Sequence, residues 1–150
     1  MKYVEEVLQP GETVLFVSTI HWLTYAPALL LLIAAIVTAF WSAGGNEFVW
    51  RGISLVCFAA ALLSGARAWF KRWTTEIAVT DRRIIYKRGF IRRHTIEMNM
   101  EKVESVDVNQ SLLGRVFGYG DVLVRGTGVG FEPLQMIESP IELRNAVTAR

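Results

Sequence analysis

The sequence has very little of the side-chain chemistry on which disulfides, metal sites and most catalytic centres depend. It contains one cysteine, Cys57, and two histidines, His21 and His94, in 150 residues. A single cysteine excludes an internal disulfide framework and a multi-thiolate metal cluster. The two histidines lie far apart in the chain and at no metal-ligand spacing, so the sequence indicates no bound metal and no cofactor. We expect Cys57 to be a small apolar filler.

Charge of either sign is also modest, and no catalytic constellation can be assembled from the residues present. The formal net charge is only +2, which does not favour a strongly basic nucleic-acid-binding protein. The serines near acidic residues, Ser105 and Ser139, are better explained as a strand residue and a helix cap. No nucleophile, base and acid occur in an arrangement of any specificity. The sequence therefore predicts a protein that is not an enzyme.

Apolar residues, in contrast, are abundant and unevenly distributed. Hydrophobic residues form 52% of the chain, and the mean hydropathy of +0.32 is high for a soluble protein. Residues 22–41 contain no charge, and residues 49–70 carry charges only near their ends, at Arg51 and Arg67. A helix of about 20 residues spans the ~30 Å hydrocarbon core of a membrane. The sequence thus predicts a hairpin of two transmembrane helices, residues 22–41 and 49–70.

The residues that flank these helices fit this interpretation and indicate an orientation. Lys71 and Arg72 directly follow the second helix, whereas the connecting turn carries Glu47 and no lysine. By the positive-inside rule both chain termini lie in the cytoplasm. The alternative, a pair of buried core helices, would be unusual in so short a chain. Aromatic residues of the kind found in interfacial belts are Trp22, Tyr25, Phe40, Trp41, Trp50, Trp69 and Trp73.

The remainder of the chain has the pattern of short strands separated by turns. Alternation of apolar and polar residues, or enrichment in β-branched residues, marks seven segments. They are residues 12–20, 75–80, 83–88, 91–100, 103–110, 121–127 and 132–137. In the fourth segment Ile96, Met98 and Met100 are expected to share one face. Because the first segment precedes both apolar helices, the hairpin is predicted to be an insertion between the first strand and the second.

A helix is predicted to close the chain. Ser139 is expected to be its N-cap, with Pro140 at the first helical position. Glu142, three residues after Ser139, would complete a capping box. Its narrow apolar stripe would consist of Ile141, Ala146 and Val147.

Several of these segments together resemble the membrane-associated bacterial pleckstrin-homology-like family, the YdbS-like proteins. The motifs that carry the resemblance are Thr80-Asp81-Arg82-Arg83, Gly89, Glu101-Lys102-Val103 and "QSLLGRVFGYGDV" at residues 110–122, with "PGETVLF" and the apolar hairpin upstream. The resemblance covers nearly the whole chain. It implies a pleckstrin-homology (PH) fold, which is a strongly bent seven-stranded antiparallel barrel with a C-terminal capping helix. It also implies homo-oligomers, but no defined activity, because a fold does not determine a function.

The resemblance and the strand pattern give the same domain organisation. Residues 1–21 hold an N-terminal segment and the first strand of the PH-like domain. Residues 22–70 form the transmembrane hairpin, and residues 71–150 form the remainder of the domain. We expect the protein to reside in the bacterial inner membrane.

The first candidate site is a cluster of basic residues that follows the second apolar helix. Between residues 71 and 93 eight basic residues stand against two acidic ones, a local net charge of +6; between 94 and 150 five stand against eight, a net of −3. Anionic headgroups attract each nearby cation by roughly 1 kcal/mol, so the cluster is predicted to face the bilayer. The eight residues are Lys71, Arg72, Arg82, Arg83, Lys87, Arg88, Arg92 and Arg93.

Other interpretations of the cluster are weaker or more limited. Its charges could simply form a solvated face that satisfies membrane topology. Strand alternation sends Arg82 and Arg83 to opposite faces, so one pocket formed by all the cations is not expected. Nucleic acid is disfavoured as a partner, because only Tyr86 and Phe90 interleave with the cluster as stacking platforms.

The second candidate site is an apolar segment between the fifth and sixth predicted strands. Residues 111–120, "SLLGRVFGYG", are expected to form a short turn or helix. The favoured interpretation is a plug that covers an open end of the barrel. The functional alternative is an exposed contact for another subunit or for a partner protein. The apolar residues concerned are Leu112, Leu113, Val116, Phe117 and Tyr119.

These features together predict a non-enzymatic, membrane-anchored binding or scaffolding module that self-assembles at the cytoplasmic face of the inner membrane. Two alternatives stay open: recognition of anionic phospholipid headgroups by the basic cluster, and a component of an oligomeric membrane transport complex with another membrane protein. The transmembrane segments carry no acid and no central charge, which argues against an ion pathway within one subunit.

Overall fold

The structure is a computed structural model that describes residues 2–41, 46–89, 94–127 and 133–149. The chain divides into two compact units: residues 1–21 together with 72–150, and residues 22–71. In chain order the elements are α1 (Lys2–Val7), β1 (Val14–Ser18), α2 (Ala26–Phe40), α3 (Glu47–Thr74), β2 (Glu76–Thr80), β3 (Arg83–Arg88), β4 (His94–Asn99), β5 (Val103–Asn109), α4 (Leu112–Phe117), β6 (Tyr119–Gly126), β7 (Leu134–Glu138) and α5 (Pro140–Thr148).

The unit of residues 22–71 is a pair of helices made largely of apolar residues. α2, together with the 3₁₀ turn Trp22–Tyr25 before it, and α3 are each long and apolar enough to cross a membrane, by length and composition. At 1.5 Å per residue they are about 28 and 42 Å long. Few of their residues are buried, and large side chains such as Leu30, Leu55 and Leu63 are exposed. Both predicted helices are present, and α3 extends beyond the predicted range of residues 49–70 at either end.

Small residues allow α2 and α3 to pack closely against each other. The hydroxyl of Ser54 on α3 donates a hydrogen bond of 2.8 Å to the backbone carbonyl of Ala35, which is buried. A Cβ added to Gly65 would lie only 3.6 Å from the Cβ of Ala28. Because residues earlier on α2 contact residues later on α3, the two helices are antiparallel.

All seven predicted strands are present within the described ranges, but they form two sheets rather than one closed barrel. The antiparallel orders are β1-β2-β3-β4 and β5-β6-β7. The 3₁₀ turn Met100–Lys102 carries the chain from one sheet to the other instead of continuing the ladder. At another edge a single bridge pairs Ile20 with Ile137. The predicted closed seven-stranded barrel is therefore wrong, and sheets of four and three strands replace it.

One hydrophobic core draws residues from both sheets and from α5. Strand alternation selects them: Ile84 and Tyr86 of β3 face this core from the same side of the strand. The predicted shared face of β4 is confirmed, because Met98 and Met100 lie in the core and Ile96 packs against it. Full burial of one such side chain contributes about 1.5–3 kcal/mol to the free energy of folding.

The opposite face of the four-stranded sheet is also covered. Ala78 and Ile85 are paired across β2 and β3 and are fully buried, although they lie outside the core cluster. α1 reaches this face, because the backbone carbonyl of Val7 accepts a hydrogen bond of 2.8 Å from the guanidinium of Arg83. Val4 on α1 is also buried. The residues before β1 are thus part of the folded domain.

α5 contributes a different stripe to the core from the one predicted. Leu143 and Val147, four residues apart on the helix, are buried, and Ala146 packs against the core. Ile141, in contrast, is 49% exposed. The prediction that Ile141 belongs to the apolar stripe is wrong, because helical spacing places it away from the side that carries Leu143 and Val147.

The start of α5 also differs from the prediction. Pro140 stands in the first helical turn as expected. Ser139, however, has a positive φ of 50° and its side chain makes no capping hydrogen bond. Its backbone N–H instead donates a hydrogen bond of 3.0 Å to the carbonyl of Gly118. The predicted capping box of Ser139 and Glu142 is therefore wrong, because the hydrogen bond to Gly118, the residue before β6, sets the backbone of Ser139.

Candidate functional site

β3 divides the predicted basic cluster between its two ends. Arg82 and Arg83 lie at the turn from β2 to β3, whereas Lys87 and Arg88 lie at the other end of the strand. Arg83 and Arg88 are therefore about 17 Å apart along the strand, at 3.3 Å per residue. Arg92 and Arg93 fall outside the described residues. The structure thus does not bring the predicted cations into one site.

At the first end of β3, Arg83 is held in an internal ion-pair network. Its guanidinium donates to both carboxylate oxygens of Glu12, at 3.0 and 2.9 Å. It also donates to the carboxylate of Glu97 on β4, at 2.7 Å. The side chain of Glu12 is fully buried and that of Arg83 is 12% exposed. Such a bidentate pair fixes the orientation of both groups, so Arg83 serves the fold rather than a lipid headgroup.

The other residues of this turn hold the same segment of chain. The hydroxyl of Thr80 lies 2.7 Å from a carboxylate oxygen of Glu12 and accepts the backbone N–H groups of the two arginines, at 3.2 and 3.0 Å. The carboxylate of Asp81 accepts the N–H of Thr13 at 3.0 Å, and its own N–H donates to the Thr13 carbonyl at 3.1 Å. The motif Thr80-Asp81-Arg82-Arg83 is therefore a clamp that holds Glu12 and Thr13 against the sheet.

The same contacts set the ionisation of Glu12. Burial by itself raises the pKa of the Glu12 carboxyl, but hydrogen bonds from Arg83, the Gln9 N–H and Thr80 outweigh it. Together they lower the pKa of Glu12 from 4.5 to about 2. Glu12 is consequently ionised at any physiological pH and acts as a partner for Arg83. It is not poised to exchange a proton with a substrate.

The other end of β3 lies where the chain passes from α3 into β2. Glu76, the first residue of β2, pairs with Lys87 in the sheet register. Arg88 is exposed and Lys87 is half-buried. Lys71 and Arg72 stand in the last turn of α3, a few residues before Glu76 in sequence. Of the predicted cluster, these four cations are the ones that lie near the step from α3 into β2, by sequence for Lys71 and Arg72 and by strand pairing for Lys87 and Arg88.

The segment predicted to plug the barrel instead presents its apolar side chains to the outside. Residues Leu112–Phe117 form α4, a helix of six residues. The exposed fractions are 81% for Leu112, 62% for Leu113, 78% for Val116 and 45% for Phe117. The plug interpretation is therefore wrong. These four side chains form an exposed apolar surface, which we call the α4 face.

Three local features hold α4 in an orientation in which the α4 face points away from the domain. The hydroxyl of Ser111 caps the helix by accepting the N–H of Gly114 at 3.0 Å. Gly118 ends the helix with a φ of 75°, a conformation that favours glycine. A Cβ added to Gly114 would lie 2.5 Å from the carbonyl oxygen of Tyr119. Because the side of the helix that lacks a side chain packs against the domain, the large residues remain outside.

Tyr119, the fifth residue of the predicted contact, lies partly inside the domain. Its ring stacks on the ring of His21, with 5.3 Å between centroids and 29° between planes. His21 is buried, and its backbone N–H donates a hydrogen bond of 2.8 Å to the backbone carbonyl of Met136. It is also the last residue of the β-rich unit before the apolar helices begin. Sequence reasoning missed this contact because the two rings are distant in the chain and no motif relates them.

The part of the chain that the structure describes offers no cluster of metal-ligating side chains. No group of three or more His, Cys, Asp or Glu side chains there could hold a metal ion. Cys57 on α3 is a free thiol and is half-buried.

Comparison with known proteins identifies one family. A family model described as "Bacterial PH domain" matches residues 14–150. No curated protein and no solved structure matches the chain. The matched range begins at the first residue of β1, so it includes the apolar helices as well as both sheets.

Proposed function

The chain belongs to the bacterial PH domain family, and from this premise we propose a non-enzymatic binding and scaffolding role. The two apolar helices anchor the protein in the bacterial inner membrane with both termini in the cytoplasm, and copies of it self-assemble there. A binding role is the one that membership of this family supports. The buried carboxylate of Glu12 is consistent with it, since this group is committed to an ion pair rather than to catalysis.

The observation that carries the proposal is the place of the apolar helices within the chain. They separate β1 from β2, which are neighbours in one sheet, with Ser18 paired to Ile77. The compact β-rich unit needs residues on both sides of them, 1–21 and 72–150. Folding of the domain therefore holds the two ends of the helical segment together. A truncation that removes the helices from the N-terminal side therefore also removes β1.

The surfaces of both units support anchoring and self-assembly. An exposed helix pair as apolar as α2 and α3 is unfavourable in water and is satisfied by lipid tails or by other helices. Among the described strands, β4 and β5 stand at the edges of their sheets. Edge strands offer unpaired backbone groups to a second copy. We propose that copies associate through the apolar helices and these sheet edges.

The distribution of charge supports the proposed orientation. Arg51, near the turn between the helices, forms an ion pair of 2.9 Å with Glu47. Arg51 is the only lysine or arginine between residues 22 and 66, and the positive-inside rule counts basic residues rather than net charge. Lys71 and Arg72, at the other end of α3, add two cations there. By the positive-inside rule, this asymmetry supports a turn outside and a β-rich unit in the cytoplasm.

Labelling of introduced cysteines in intact cells tests the anchor and its orientation. Each variant carries Cys57→Ala and a single new cysteine, Asn46→Cys in the turn or Arg88→Cys at the end of β3. A thiol reagent that cannot cross the bilayer should modify the first and leave the second unmodified until the cells are lysed. Labelling of Arg88→Cys in intact cells, with Asn46→Cys protected, would overturn the orientation. If the two cysteines are labelled to the same extent as each other in intact cells, and again after lysis, the anchor would be overturned.

The mass of the detergent-extracted protein tests self-assembly separately. We expect one defined oligomer over a wide range of protein concentration when the mass is measured by light scattering with correction for detergent. A monomer at every concentration would contradict the scaffolding proposal while leaving the anchor intact.

Recognition of anionic headgroups is a second candidate, which the position of Lys87 and Arg88 favours. Both lie at the end of the sheet where α3 leads into β2, and each cation near the lipid surface contributes about 1 kcal/mol. The variant Lys87→Gln/Arg88→Gln should retain less phosphatidylglycerol after mild extraction, as measured by mass spectrometry of bound lipid. Arg82→Gln, at the opposite end of β3, is the matched control and should retain as much as the unaltered protein. Equal retention by all three proteins would exclude a headgroup site at this end.

A further inference from the structure

The α4 face is unusual because a short helix turns all of its large apolar side chains away from the domain. Leu112, Leu113, Val116 and Phe117 lie at the helical spacing that puts them on one side of α4. They are between 45% and 81% exposed. A contiguous apolar surface of this kind marks a site of interaction with a protein or a membrane.

The position of α4 in the domain indicates which of these two it meets. The helix ends at Gly118, whose carbonyl accepts the N–H of Ser139 at 3.0 Å. The next residue, Tyr119, stacks on His21. His21 is where the chain leaves the β-rich unit for the first apolar helix. α4 is only about 9 Å long, at 1.5 Å per residue. The α4 face therefore lies close to this exit point.

The point at which the chain returns lies at the same end of the domain. β2 begins at Glu76, and its next residue, Ile77, pairs with Ser18 near the end of β1. Ser18 also donates a hydrogen bond of 2.7 Å to the carbonyl of Glu138, and Glu138 pairs with Tyr119. These contacts place three features at one end of the domain: the start of β2, the residue His21 at which the chain leaves for α2, and the end of α4. Lys87 pairs with Glu76 and therefore lies at this end of the domain too.

We propose that α4 is an interfacial helix that inserts its four apolar side chains between the lipid headgroups of the bilayer that anchors the chain. This inference rests on the proposed membrane anchor and adds a second point of contact with lipid. Trp22, the residue after His21, is of the type that sits at headgroup depth. Since His21 contacts Tyr119, the end of α4 is held near that depth. A helix whose apolar side chains face lipid in this way lies in the plane of the interface.

Lipid suits this surface better than a protein partner does. A stable protein interface buries about 800 Å² on each side, and one helix of two turns cannot supply that area by itself. Lipid needs no complementary shape, and the end of α4 lies close to His21, where the chain leaves for its proposed anchor. Arg115, the one charged residue of α4, is exposed and can contact phosphate groups while its neighbours insert.

Spin labels in the full chain test this inference. Single cysteines are introduced with Cys57→Ala at Leu113 and Val116 on the α4 face, at Leu30 on α2, and at Arg82 at the far end of β3. The labelled proteins are placed in nanodiscs of phosphatidylethanolamine and phosphatidylglycerol. Collision rates are then measured with oxygen, which concentrates in lipid, and with a nickel chelate, which stays in water. All four positions are exposed, so the labels should leave the fold intact.

The expected result is a ratio of oxygen to nickel collisions at Leu113 and Val116 that is several-fold higher than at Arg82 and approaches that at Leu30. Protection from both reagents at Leu113 and Val116 would mean that a protein covers the α4 face, and would overturn the inference. High nickel collision rates there, with Leu30 in lipid, would overturn the inference alone. High nickel collision rates at Leu30 as well would remove the anchor, and with it both the proposed function and the inference.

Discussion

The guanidinium of Arg83 binds the buried carboxylate of Glu12, a residue that lies 71 positions earlier in the chain, at 2.9 Å. Glu12 precedes the apolar helices and Arg83 follows them. The pair therefore joins the two segments of chain from which the β-rich unit is built. It explains why a conspicuous arginine next to other cations serves the fold rather than a ligand.

Loss of the Glu12 carboxylate should destabilise the domain strongly. In Glu12→Gln the guanidinium of Arg83 loses its bidentate partner while remaining mostly buried. Removal of one member of a buried ion pair costs about 3–5 kcal/mol of the free energy of unfolding. We expect a loss in this range in urea denaturation of the full chain in detergent, followed by near-ultraviolet circular dichroism.

Asp107→Asn provides the matched control for that measurement. It breaks the ion pair between Asp107 and Arg125, whose side chains are 55% and 61% exposed. An exposed pair of this kind contributes less than about 1 kcal/mol. If Glu12→Gln and Asp107→Asn cost the same, Glu12 and Arg83 do not join the two chain segments in the way that we infer.

The stability of the domain should fall in acid because of the same carboxyl group. The pKa of Glu12 is lowered from 4.5 to about 2 in the folded protein. A lowered folded-state pKa gives stability that is fully present above the unfolded value and is lost as the pH falls towards the folded value. The free energy of unfolding should therefore decline between pH 4.5 and 2. Glu12→Gln should show a shallower decline over that window, and an identical slope would contradict the pKa shift.

The strands could be predicted from the sequence because each one depends on local alternation. Ile96, Met98 and Met100 fall on one face of the chain whatever the neighbouring strand is, and the structure confirms that they face the core. Alternation also separates Arg82 from Arg83. It could not identify Glu12 as the partner of Arg83, because no local pattern relates residues so far apart. The predicted cluster therefore included a cation that the fold uses internally.

The failures of prediction concern features that tertiary contacts decide. Ser139 has the residue type and spacing of an N-cap, but its bond to the Gly118 carbonyl sets its backbone and removes the cap. α4 has the composition of a core plug. Gly114, with no side chain, packs against the carbonyl of Tyr119 and so turns the large residues outward. Closure of a barrel depends on whether β4 and β5 pair, which alternation within each strand does not reveal.

Gly114→Ala should test the packing that orients α4. The added methyl group would lie 2.5 Å from the backbone carbonyl of Tyr119, so α4 or β6 must shift. Overpacking of this kind costs typically 1–3 kcal/mol. Arg115→Ala is the control in the same helix, because Arg115 is exposed and its removal should change the free energy of unfolding by less than about 0.5 kcal/mol. A larger effect of Arg115→Ala than of Gly114→Ala in thermal unfolding of the full chain would show that Gly114 is not the side of α4 that packs against the domain.

The β-rich unit should fold without the apolar helices if both of its segments are kept. We expect residues 2–21, joined to residues 72–150 by a flexible glycine and serine linker, to unfold cooperatively and to give a dispersed amide spectrum by nuclear magnetic resonance. The linker should succeed because Ser18 and Ile77 are already paired across β1 and β2.

Residues 72–150 alone should fail the same test. They leave β2 as an open edge, they lose the buried side chain of Ile20, and they leave Arg83 without Glu12. The Glu12→Gln form of the linked chain should have an intermediate stability, because it keeps β1 but loses the ion pair. If residues 72–150 unfold at the same temperature and as cooperatively as the linked chain, β1 contributes nothing, and the apolar helices would be a leader attached to a complete domain rather than an insertion within it.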